Sequence, residues 1–154
     1  MFPPEEGGYH PRAVGRTMFI DHVTRSEAEM ILNRLQSSSA SMAVTQLRVL
    51  GGAMSRVPVD ATAFAHRNSR IMVNLAALYE NPDEKEIHEA WVTDFAAALR
   101  QSDNGAYVNF LADVDEAQVR AAYPNGAWER LAAIKARYDP DNFFHLNQNI
   151  PPQK

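Results

Sequence analysis

The sequence predicts an α+β layer, an antiparallel β-sheet with helices packed mainly on one face. Three observations carry this. Short apolar stretches with strand-like patterning alternate with amphipathic helical ones, which gives four strands and four helices. The first two connections between strands hold one helix and one long loop. No glycine-rich phosphate turn follows a strand, so nothing favours a doubly wound nucleotide fold.

Residues 1–15 read as a linker, because Pro3, Pro4, Gly7, Gly8, Pro11 and Gly15 break any regular pattern. The folded part is then residues 16–154, opening with a strand over Thr17–Val23 in which Met18 and Ile20 oppose Phe19 and Asp21. Thr24 or Ser26 offers a helix N-cap, with Glu27 or Glu29 at the capping-box position. Ala28, Ile31, Leu32 and Leu35 form the apolar stripe of that helix. A second strand covers Met42–Leu50, with Val44, Gln46, Arg48 and Leu50 on one face and Ala43, Thr45, Leu47 and Val49 on the other. Gly51-Gly52 interrupts it, at a bulge or where a backbone or ligand comes close. The third strand, Arg70–Leu78, is almost continuously apolar and reads as covered on both faces. Asp83 caps the next helix, whose Ile87, Trp91, Phe95 and Leu99 recur every four residues. A fourth strand is expected at Ala106–Leu111, then helices at Glu116–Ala122 and Trp128–Tyr138, the last halted at Asp139-Pro140. Phe143, Phe144 and Leu146 are expected to anchor the irregular tail to the core.

Composition narrows the function classes. The 154 residues carry 15 basic and 19 acidic side chains, a formal charge of −4, without a basic run. Nucleic acid is therefore not expected as a partner, since its binding rests on Lys and Arg neutralising phosphates. There is no cysteine, which excludes disulfides, thiolate metal sites and cysteine nucleophiles. The histidines His10, His22, His66, His88 and His145 are scattered, and no metal site is expected. No apolar run is long enough to span a bilayer and no signal pattern opens the chain, so a cytoplasmic location without membrane attachment is expected.

Two segments carry candidate chemistry. On a strand, Tyr107 and Asn109 would share one face, a hydroxyl beside an amide able to hydrogen-bond a heterocycle; Val108 and Phe110 would share the other. The same pattern also suits a partly exposed sheet face. In the tail, Asn147, Gln148 and Asn149 form a run of amides that reads either as ligand-facing or as a solvated turn.

The run YVNF, a helical stretch, and then WERLAAIKARYDPDNFFHLNQNIPP resemble the C-terminal signature of the berberine-bridge-enzyme-like flavoprotein oxidases, within the vanillyl-alcohol-oxidase group. LGGAMSRV followed by TAFAHR is similar to the segment that precedes that signature, so the likeness runs from about Arg16 to Pro152. The resemblance implies the substrate-domain part and C-terminal segment of an FAD-dependent oxidoreductase, which transfers hydride from substrate to flavin, without the FAD-binding half. Such a chain would be a truncated product or one part of a split enzyme, and inactive alone. FAD is the implied cofactor, not tightly held here because the phosphates and adenine lack a site. The implied partner is a separate FAD-binding polypeptide. The alternative is a non-catalytic module that self-associates, as a homodimer through the exposed sheet face, or binds another partner.

By the same resemblance, Tyr107, Asn109 and Gln148 approach the cofactor, and Arg48, with Gln46 on the same strand face, faces substrate. The family's proton-accepting Tyr and Glu correspond to Phe110 and Val73, which are then substrate-facing but not catalytic. Neither side chain can take a proton, so no catalytic residue is assigned.

Overall fold

A computed structural model of the chain describes residues 11–101, 105–111 and 116–153. Along the chain come β1 (Arg12–Ile20), α1 (Arg25–Gln36), β2 (Met42–Val49), β3 (Ile71–Tyr79), α2 (Lys85–Leu99), α3 (Glu116–Ala121) and α4 (Ala127–Tyr138). Short 3₁₀ turns sit at Met54–Arg56, Pro82–Glu84 and Val108–Phe110. The strands form a sheet in the order β1-β3-β2, with β3 antiparallel to both neighbours. The α+β class expected from the sequence holds, and α1 and α2 pack on the same face of the sheet.

Strand register decides which side chains reach the helices. Val14 lies opposite Ala77, Met18 opposite Val73 and Ile20 opposite Ile71, which aligns the apolar positions of β1 and β3 on one face. They meet Ile31 of α1 and Val92, Phe95, Ala96 and Leu99 of α2 in one core. Phe95 is fully buried, a placement worth roughly 1.5–3 kcal/mol for such a side chain. Trp91 meets it edge-on at 5.3 Å.

The buried stripe of α2 runs His88, Val92, Phe95, Ala96 and Leu99, while Ile87 is exposed. A strict four-residue repeat drifts by about 40° per step around a helix of 3.6 residues per turn. The row from Leu99 back to Ile87 therefore winds off the sheet. The start of this helix also differs from expectation. Asn81, not Asp83, accepts from the Asp83 N–H at 3.1 Å, and Pro82 opens the 3₁₀ turn where no N–H is needed. The capping box of α1 is as the sequence predicts, with Thr24 and Glu27 bonding reciprocally. Those bonds, first the one from the Thr24 backbone, hold the Glu27 carboxyl below its ordinary range.

Other differences matter for the site. β1 begins at Arg12 instead of Thr17, so residues 12–15, assigned above to the linker, are strand. Ala106–Leu111 is not a strand. The Tyr107 N–H donates to Thr17 Oγ1 at 2.9 Å instead of to a neighbouring strand. The Phe110 and Leu111 N–H groups then close a turn on the Tyr107 and Val108 carbonyls. β3 is not covered evenly: Asn74, Ala76 and Leu78 stay half-buried on the side away from the helices. Gly51 and Gly52 have φ of 142° and 63°, and a Cβ there would meet nothing within 4 Å. The turn itself needs glycine, with no close neighbour involved. Among the described residues no helix is long and apolar enough to cross a membrane.

Candidate functional site

The face of the sheet away from the helices differs in chemistry from the core. Alternation along the strands places Thr17 and Phe19 of β1, Met72 and Asn74 of β3, and Gln46 and Arg48 of β2 on it. Register sets Gln46 opposite Asn74 and Asn74 opposite Thr17, a polar row across all three strands. The amides are joined, since Asn74 Nδ2 donates to Gln46 Oε1 at 3.4 Å. Arg48 Nη2 donates to the same oxygen at 3.1 Å, and its guanidinium lies 4.9 Å from the Phe110 ring centre. The arginine is thus aimed by an amide below it and an aromatic ring beside it.

Residues 105–111 and the loop before β3 wall this row. Phe110 packs at 5.6 Å on Tyr107, and Tyr107 meets Phe64 edge-on at 6.1 Å. His66 is buried and stacks on Phe19 at 4.1 Å, with ring planes 15° apart. Asn109 Nδ2 donates to the Tyr107 hydroxyl at 2.9 Å, so the two are neighbours as the sequence suggests. The cause is different, because a 3₁₀ turn brings them together and the same turn carries Phe110 to Arg48 instead of to an opposite face.

Gln148 is connected to this segment and not to the polar row. Its Nε2 donates to the Leu111 carbonyl at 2.7 Å. Arg48 and Gln46 lie on the open face as expected. Val73 does not. It faces the helices with 0% exposure, because one residue of register reverses the side to which a strand residue points. The β3 side chain that borders the polar row is Asn74, which the sequence reading passed over. Thr17, Phe64 and His66 were passed over too as parts of this wall. A single polar residue inside an otherwise apolar strand was the available signal for Asn74.

The tail also departs from expectation. Phe143, Phe144 and Leu146 do not anchor to the core; they are 76%, 76% and 80% exposed, and Phe144 and Leu146 border a shallow surface groove with Ile134 and Tyr138 of α4. The tail is held by polar bonds. Asp139 accepts from the backbone N–H groups of Phe143 at 2.7 Å and Phe144 at 3.0 Å, and from Lys135. Lys135 Nζ also donates to the Phe144 carbonyl at 2.6 Å. The lysine bond, followed by the two N–H groups, holds the Asp139 carboxyl below its ordinary range.

The open face therefore offers donors and acceptors for the edge of a planar heterocycle, with aromatic rings beside them. Neither Phe110 nor Asn74 can act as a base. Among the described residues no group of three or more His, Cys, Asp or Glu side chains is placed to hold a metal.

Comparison with known proteins bears on the closing segment and the fold. Residues 106–151 match the family described as "Berberine and berberine like". The chain is 31% identical over 148 residues to an uncharacterized FAD-linked oxidoreductase of Bacillus subtilis, covering 95% of this chain and 33% of that protein. It is 33% identical over 133 residues to berberine bridge enzyme-like 6 of Arabidopsis thaliana, covering 75% of this chain and 24% of that one. The crystal structure of berberine bridge enzyme from Eschscholzia californica superposes with a TM-score of 0.74 at 21% identity, over 93% of this chain and 33% of its own, a likeness of fold. The chain thus spans about a third or less of the length of these relatives. The closing segment of this chain, residues 106–151, is thus that of the berberine and berberine-like family, and the chain as a whole is similar to about a third of the length of FAD-linked oxidoreductases.

Proposed function

We propose that this chain supplies the substrate-side sheet and C-terminal segment of an FAD-dependent oxidoreductase. The observation that supports this best is the Thr17–Asn74–Gln46 row with Arg48, walled by Tyr107 and Phe110 and backed by a buried apolar core. Gln46, Asn74 and Arg48 would hold polar edges of the flavin or substrate, and the Tyr107–Asn109 pair would border the ring. Bound flavin would supply the acceptor for a hydride taken from substrate. The chain's own contribution is binding and orientation.

The residues fit the ring better than the rest of the cofactor. Among the described residues no glycine-rich turn runs from a strand into a helix N-terminus, the usual cradle for phosphates. A FAD-binding polypeptide, on the same or a separate chain, would hold that part. The exposed tail aromatics give it a place to dock. Phe110 and Asn74 leave proton abstraction to a base from that polypeptide, or to a substrate that needs none.

Riboflavin and FAD titrated separately into the purified chain, followed by flavin fluorescence, test this reading. The expected result is weak binding of equal strength for both, because only the ring is recognised. Gln46→Ala and Arg48→Ala should each weaken it about fivefold, the loss of one hydrogen bond near 1 kcal/mol. Protein purified yellow with stoichiometric FAD, or riboflavin binding indifferent to both substitutions, would overturn the proposal.

A further inference from the structure

The two edges of the sheet are finished differently. The β1 edge is partly closed, with the Gly15 carbonyl bonded by Arg16 and the Thr17 hydroxyl by the Tyr107 N–H. Residues 105–111 also lie along it. Among the described residues, β2 pairs with β3 alone.

Register shows which β2 groups are open. The Leu50 N–H donates to Arg70 at 2.7 Å, which makes these partners a hydrogen-bonded pair. Antiparallel alternation then directs the backbone groups of Arg48, Gln46, Val44 and Met42 to β3. Those of Ala43, Thr45, Leu47 and Val49 point outward. On the side chains of this second set, Leu47 is 43% and Val49 84% exposed. β2 contains no Lys, Asp, Glu or Pro, the residues by which proteins keep an open edge from pairing.

We propose that this edge pairs with β2 of a second copy of the chain, in a symmetric antiparallel ribbon that joins two sheets into one of six strands. The edge is complementary to itself. With the two-fold axis at Gln46, Ala43 bonds Val49 of the second copy and Thr45 bonds its Leu47, so every outward group finds a partner. On the helix side Leu47 then flanks Thr45 and Val49 flanks Ala43, each of the second copy, and the exposed apolar surface is covered. On the open face Arg48 lies opposite the uncharged Val44 of the second copy, so the one charge of each strand avoids its like. This association uses an edge and leaves the polar face free. It is separate from any flavin binding.

Sedimentation equilibrium on the 154-residue chain tests it. The mass should rise with concentration from 17.2 kDa toward twice that value. Hydrogen exchange at Ala43, Thr45, Leu47 and Val49 should slow with concentration, while Val44, Gln46 and Arg48 stay unchanged. Val49→Lys and Leu47→Lys, both at exposed positions, should weaken association at least ~10-fold with unaltered circular dichroism. Replacing Phe143 and Phe144 by Ser should leave it intact. A monomer at every concentration, a dimer that survives both lysines, or one abolished by the tail substitutions would overturn the proposal.

Discussion

The two faces of one sheet have been built for opposite purposes. Toward the helices, β3 presents Val73, Leu75 and Ala77, all fully buried, and the sequence there is determined by packing. Toward the other side the same strand presents Asn74, which reaches Gln46 on β2 and stays half-buried. Neighbouring residues of one strand thus answer to different requirements, apolar packing on one side and a polar network on the other.

Substitutions can sharpen this contrast. Phe95→Ala should destabilise the fold by ~3–5 kcal/mol, because a fully buried ring leaves a cavity, and urea denaturation would measure it. Thr17→Val should cost ~1–3 kcal/mol, since the buried Thr17 hydroxyl accepts the Tyr107 N–H and its loss orphans that donor. It should also raise hydrogen exchange at Tyr107, tying the core to the site. Thr24→Ala, at the start of α1, should cost ~1 kcal/mol as a lost cap, with no effect on either face. Arg48→Ala should change stability by less than about 0.5 kcal/mol while weakening flavin binding. An Arg48→Ala loss comparable to that of Phe95→Ala would erase the division between the faces.

A pH effect is expected in the tail. The Asp139 carboxyl titrates below its ordinary value of 3.8, so its clasp is intact above that value and is lost as pH falls through the lower folded one. Pepsin cleavage at Phe143-Phe144 relative to a control substrate should therefore rise as pH falls. Asp139→Asn, which has no carboxyl to titrate, should be cut more readily than the parent chain at the upper end of the range and lose that relative rise.

How much was legible in the sequence follows from the same contrast. The core strands, the α1 capping box and the placement of Gln46 and Arg48 on one side were readable from local patterns. The face of β3 was not. A run such as IMVNLAAL carries no clear alternation, so Val73 and Asn74 could be told apart only by register with β1 and β2. Nor was the turn at Val108–Phe110 readable, because the apolar pattern of AYVNFL favours a strand until the Tyr107 N–H is diverted to Thr17. The exposed aromatics of the tail misled for a related reason. Hydrophobicity says that a residue gains from being covered, not that this chain provides the cover.

The middle position of β3 has a consequence for biosynthesis. β1 and β2 do not pair with each other, so residues 12–49 hold both outer strands without the strand that joins them. Neither ladder can begin before Ile71 is made or be complete before the end of β3, and a fragment ending before Ile71 lacks the strand on which both ladders are built. Until that keystone arrives, α1 is the one element able to form from local interactions, and the apolar strands beside it stand open to whatever chaperone is near the ribosome.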